Sequence, residues 1–177
     1  MNPIHLLPLG NADRNLVERL SAPLSQAFLV PVEVETANID IRRFYDGVRE
    51  QYNSTAVLQH LRGQASNSRL LAVFKDDLFI PILTYVFGEA ELGGSVAVIS
   101  YHRLQNERYG LPPNPSLLVE RMCKEALHEM GHVYGLVHCS LQVCVMHAST
   151  YVEDIDLKGS LFCAPCRRLL FAHRSTP

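Results

Sequence analysis

The sequence predicts an α/β fold of the α+β kind, a mixed twisted sheet with helices packed on it. Two observations carry this. Short apolar runs of strand length alternate with stretches whose apolar residues recur at helical spacing. The chain has 177 residues, 47% of them hydrophobic, which suffices for one core and falls short of two ordinary domains. A single domain over 1–177 is therefore expected, with a sheet-and-helix part at 1–136 and a loop-rich part at 137–177.

Residues 3–9 and 31–37 read as strands. Between them, Asp13 to Phe28 carries Leu16, Val17, Leu20, Leu24 and Phe28 at helical spacing, which completes a strand, helix, strand unit. Residues 40–62 are partly helical, with Phe44, Val48, Tyr52, Ala56 and Leu61 as candidate buried positions and Asn53 and Ser54 interrupting the pattern. A strand at 69–75 follows, and a turn at Lys75 to Asp77 leads into one or two short strands by Val86. The β-rich run Ser95 to Tyr101, after two glycines, is another strand. It is either an edge that receives an extended peptide or an ordinary central strand. Pro115 and Ser116 open the longest helix, running to about Leu136, with Leu117, Leu118, Met122, Cys123, Leu127 and Met130 on its apolar side. Glu120 and Lys124 form an i,i+4 pair on what reads as a solvated face. Beyond Gly135 the chain reads as irregular until a short helix after Pro165, through Arg167 to Phe171, so this part is expected to bury little apolar surface.

A net charge of −2 and a pI near 6.4 give no electrostatic case for nucleic acid or an anionic membrane surface. No apolar run reaches 18 residues, so no transmembrane helix is expected. The first residues lack a basic segment, and Pro3 and Pro8 break their apolar run, so no secretory signal is read and a cytoplasmic location is expected. No prodomain is apparent, and nothing in the residues specifies an oligomeric state.

The chemistry concentrates in HEMGHVYGLVHCSLQVCVM, residues 128–146. On a helix, His128 and His132 project one turn apart from one face, where both imidazoles can hold one Zn²⁺ at about 2.0 to 2.1 Å. Glu129 follows the first ligand, beside the metal and not on it, where a general base belongs. Gly135 can end the helix in the left-handed conformation, and the turn brings His138 back towards the metal. Zinc lowers the pKa of water to about 7 and polarises a carbonyl, so hydrolysis of a peptide bond follows from this arrangement.

Four of the five cysteines pair by spacing, Cys139 with Cys144 and Cys163 with Cys166. Such a set suits a closed, tetrahedral structural zinc, with disulfides as the competing reading. The lack of any sign of an oxidising compartment favours metal. Cys123 falls in the apolar pattern of the long helix and reads as a buried core thiol. Two Zn²⁺ per chain are expected, the structural one compensating for the thin core of the C-terminal part.

HExxHxxGxxH followed by Met146 is similar to the metzincin pattern, in which a methionine turn lies beneath the zinc. The set His128, Glu129, His132, Gly135, Cys139, Cys144, Met146, Cys163 and Cys166 resembles the archaemetzincin family more closely, and VFGEAELGGSVAVISYHRL at 86–104 is also similar to it. The resemblance implies a compact metzincin-like fold, one catalytic and one structural zinc, and metallopeptidase activity on a peptide or protein substrate. Two rival readings are a non-catalytic zinc protein that binds a peptide or partner in its cleft, and a zinc amidase acting on non-peptide bonds. An intact Glu129 argues against the first. His147 reads as a polar loop residue and Tyr151 as a weak candidate oxyanion donor. His5, His60, His102 and His173 lack partners at ligand spacing.

Overall fold

A computed structural model describes residues 2–65 and 68–172. Its main sheet has the order β2-β1-β5-β8-β7, from β1 (Ile4–Leu9), β2 (Val32–Val34), β5 (Arg69–Phe74), β7 (Gly88–Ala90) and β8 (Val96–Ser100). The first four strands are parallel, and β7 joins antiparallel at the edge. Alternate residues of the inner strands enter two cores. Ile4, Leu6, Leu71, Val73, Ala97 and Ile99 face one, while Leu7, Leu9, Leu70, Ala72, Phe74, Val96 and Val98 face the other. That is why these strands read as nearly continuous apolar runs.

The first core is covered by α1 (Arg14–Glu18), α2 (Ser21–Phe28) and the long helix α4 (Pro115–Val133), the second by α3 (Ser54–Arg62). The helix expected over 13–28 is broken in two, because Pro23 has no N–H for the Arg19 carbonyl and its ring crowds that carbonyl. Asn53 does not interrupt a helix but starts one, since its side chain accepts from the Ala56 N–H as the cap of α3. The segment before it forms a hairpin of β3 (Tyr45–Asp46) and β4 (Gln51–Asn53), paired further with β6 (Leu78–Phe79). Val48, expected to be buried, sits at the hairpin turn and is 96% exposed.

One open alternative is settled and two further expectations are corrected. The 95–101 strand is central, lying between β5 and β7, so the free edge belongs to β7. Lys124 is not on a solvated face. It is buried and donates to the Ile155 and Asp156 carbonyls as well as pairing with Glu120 at 2.8 Å. The C-terminal part is also not thin. It contains a further helix, α5 (Val152–Leu157), before α6 (Ala164–Ala172), and Leu136, Val145, Met146, Val152, Ile155 and Leu170 are buried in the first core. Polar clasps fasten it to α4, among them a two-point pair of Arg121 with Asp156 at 2.6 and 2.7 Å. No helix among the described residues is long and apolar enough to cross a membrane.

Candidate active site

Asn114 caps the start of α4 by accepting from the Leu117 N–H, and the last turn ends in a Schellman motif. The Gly135 N–H bonds the His132 carbonyl at 2.8 Å, and the Leu136 N–H bonds the Gly131 carbonyl at 2.9 Å. Gly135 has φ +88°, a conformation that side chains strain to adopt. This turn also fixes a ring, because the Leu136 carbonyl accepts from His132 Nδ1 at 2.7 Å. The Val145 carbonyl does the same for His128 Nδ1 at 2.8 Å.

A carbonyl only accepts, so each of these Nδ1 atoms carries the proton and leaves Nε2 bare in a neutral ring. Burial, with the Lys158 ammonium adding to it, pushes His128 down to about 2, and burial also lowers His132 and His138. Neutral rings follow. Yet the two bare Nε2 atoms face each other at 3.1 Å. Two lone pairs at that distance repel unless a cation lies between them, and a tetrahedral ion would set two such nitrogens ~3.3 Å apart. His138 closes the set, its ring centroid 5.2 Å from that of His128 and 4.9 Å from that of His132. The donor set fits a zinc ion with an open fourth position.

Glu129 is buried and lines a cleft of about 470 Å³ with His128, His138, Glu125 and Gly88. Burial pushes its carboxyl well above the usual carboxylate range. The neighbouring Glu125 adds to the rise, and Lys158 opposes it. A carboxylate that takes up a proton more readily than usual is suited to general base work near neutral pH. Met146 is buried against α4, where a Cβ on Gly131 would meet its Sδ at 2.4 Å. Only glycine at 131 gives the methionine turn that close an approach.

Cys139, Cys144, Cys163 and Cys166 converge with their sulfurs mutually within 4.8 Å, and all are free thiols. The Cys139 and Cys163 sulfurs are 3.8 Å apart, the separation of ~3.8 Å expected across a tetrahedral zinc and far beyond a disulfide bond. One loop serves both clusters. The Cys139 N–H bonds the Met146 carbonyl at 2.9 Å, His147 Nδ1 bonds the Cys139 carbonyl at 3.0 Å, and the Cys163 N–H approaches Cys144 Sγ at 3.4 Å. His147 is thereby a loop fastener. Cys123 is half-buried, and burial pushes its thiol up to about 11.

Tyr151 lies at the cleft wall, largely exposed. His60 pairs with Gln64, and burial lowers His102. His5, read as lacking partners, is brought beside Glu33 and Glu35 by the parallel register of β1 and β2. His173 lies outside the described residues. Sequence reasoning missed Glu125, Gly131 and Lys158. The i−4 spacing of Glu125 from Glu129 was a usable signal, whereas nothing in the sequence joins Lys158 to a helix 33 residues earlier.

A sequence profile described as peptidase family M54 matches residues 12–171. The archaemetzincin of Methanocaldococcus jannaschii is 38% identical over 167 residues, covering 94% of this chain and 92% of its own length. Two crystal structures superpose with a TM-score of 0.86. One is an archaemetzincin from Methanopyrus kandleri, at 34% identity over 99% of this chain and 96% of that one. The other is described as a zinc-dependent peptidase from Methanocorpusculum labreanum, at 32% identity over 94% of this chain and 99% of that one. The paired bare imidazoles, the Glu129 carboxyl beside them and the matched sequence over nearly the full length agree: the chain belongs to peptidase family M54, the archaemetzincins, and is a zinc metallopeptidase.

Proposed function

We propose that the chain hydrolyses peptide bonds in the cleft beside α4, as one domain over 1–177 in the cytoplasm, with two zinc ions per chain. His128, His132 and His138 hold the catalytic ion, and Cys139, Cys144, Cys163 and Cys166 hold the structural one. The observation that carries this reading is the facing pair of bare Nε2 atoms with Glu129 beside them. When bound, zinc supplies Lewis acidity, polarising the substrate carbonyl and lowering the pKa of water to about 7. Glu129 receives the proton of the attacking water and returns it to the leaving amine. The Val145 and Leu136 carbonyls hold the rings of His128 and His132 in the tautomer a ligand needs, and Met146 packs against Gly131 of the same helix.

The substrate enters as an extended strand along β7. Ser100 bonds the Phe87 carbonyl and Glu91 bonds the Val96 carbonyl, so the alternation of an antiparallel pair turns the backbone groups of Gly88 and Ala90 away from β8. Gly88 lines the cleft, which places that free edge beside the reacting groups and favours β-augmentation by a peptide.

The test is an unbiased peptide-library digest read by mass spectrometry, on wild type, Glu129→Ala and His128→Ala, with metal analysis of each. Wild type should carry two zinc ions. Glu129→Ala should keep both and lose roughly 10²-fold or more of the hydrolysis, whereas His128→Ala should lose one ion. Equal zinc retention in the two variants would refute the role assignment.

A further inference from the structure

Beneath the cleft lies a lysine whose side chain has no solvent exposure. Lys158 Nζ donates to Glu125 Oε1 at 2.8 Å and to the His147 carbonyl at 3.4 Å. Glu125 is itself buried and lines the cleft with His128, Glu129 and His138. It precedes His128 by three residues and Glu129 by four on α4, so all three side chains share one face of the helix. Glu-x-x-His is a metal-binding spacing in its own right, used where a carboxylate and an imidazole from one helix hold the same ion. A buried carboxylate at that spacing, next to a dication with an open position, becomes a ligand unless another charge satisfies it.

We propose that Lys158 is a positioning residue of the active site, whose ammonium holds the Glu125 carboxylate off the catalytic metal and so keeps the fourth coordination position open for substrate. The proposal rests on the zinc-peptidase reading of the cleft. It differs in sign from an ordinary structural role. Arg121 and Lys124 clasp α5 to α4, and if Lys158 only added to that clasp, removing its charge would loosen α4 and weaken zinc binding. A freed Glu125 carboxylate instead adds a ligand, so zinc binds more tightly while hydrolysis falls.

The experiment compares the full-length zinc-loaded protein with Lys158→Met, Lys158→Gln and Lys158→Met/Glu125→Ala. Zinc affinity of the catalytic site is read by competition with a chromophoric chelator, and hydrolysis on a peptide mixture. Lys158→Met should bind zinc about tenfold more tightly or better, within the range that groups surrounding metal ligands command, and should lose most of kcat with KM little changed. Adding Glu125→Ala should bring zinc affinity back to within about threefold of wild type and restore the larger part of kcat, because the competing ligand is gone. Lys158→Gln keeps a donor for the His147 carbonyl without the charge, and should shift zinc affinity the same way even if the methionine variant folds poorly, with folding checked by circular dichroism. Zinc bound no more tightly in the Lys158 variants than in wild type, or no reversal by Glu125→Ala, overturns the proposal. A wild type that hydrolyses nothing would sink the peptidase reading while leaving the zinc-affinity comparison intact.

Discussion

Cys166→Ser removes a sulfur that no bond in the structure connects directly to the histidines, yet it should weaken the catalytic site. The route is the shared loop. Cys139 is bonded to His138 in the chain and to the Met146 carbonyl through its N–H, and Cys144 adjoins Val145, whose carbonyl orients His128. On the proposed two-zinc reading, the remaining three thiolates would hold the structural ion less firmly, and the 138–147 loop would gain freedom at both of its fixed points. Loss of a group that orients metal ligands typically lowers metal affinity about 10- to 100-fold, or ~1.4 to 2.7 kcal/mol. The lower end is expected here, because the buried Val145 and Met146 side chains still pin the loop. The assay is a chelator titration of wild type and variant, following zinc release, hydrolysis and circular dichroism together. In wild type the open three-histidine site should release its ion first and leave a folded, inactive protein, with loss of the thiolate ion disordering the C-terminal part. Cys166→Ser should release both ions at lower chelator concentration. Should the variant keep wild-type zinc affinity at both sites and wild-type hydrolysis, the loop does not couple them.

Arg121→Ala breaks a two-point pair with Asp156 and the bonds to the Leu104 carbonyl and Asn106. It should destabilise the fold by roughly 3 kcal/mol in urea unfolding, the lower part of the buried-pair range since Asp156 is partly exposed; a loss below the noise of the measurement would contradict the clasp. Gly131→Ala gains up to about 1 kcal/mol of helix propensity but drives a Cβ into the fully buried Met146, so a net loss of about 1 to 2 kcal/mol in unfolding stability should accompany lower hydrolysis, and a stabilised variant would show the methionine free to move. Cys123, with its thiol near 11, is ~0.1% thiolate at pH 8 against about a quarter for an ordinary cysteine, so iodoacetamide should modify it roughly two hundredfold more slowly; labelling at the rate of a free thiol would show that the α2–α4 side opens readily.

The sequence by itself determined which residues are candidates for the site, the three histidines, Glu129, the methionine and the four thiols, because each stands at a spacing set by the helix period, a glycine turn or a short loop. These are local constraints, and residues 128–146 hold most of the set within 19 consecutive positions. The strands were legible for a related reason, since sheet residues buried on both faces leave continuous apolar runs. Element boundaries failed where one residue overrode the pattern, as Pro23 did by removing a single N–H and Asn53 did by capping. The tertiary structure alone decided the rest. Whether the strand at 95–101 was central or an edge depended on where Gly88–Ala90 paired. Lys124 looked solvated because its i,i+4 partner is visible in the sequence, while the carbonyls of Ile155 and Asp156 that bury it are not. Lys158 meets Glu125 across 33 residues of chain, at a separation where spacing carries no information and only the packing of α5 on α4 brings the two charges together.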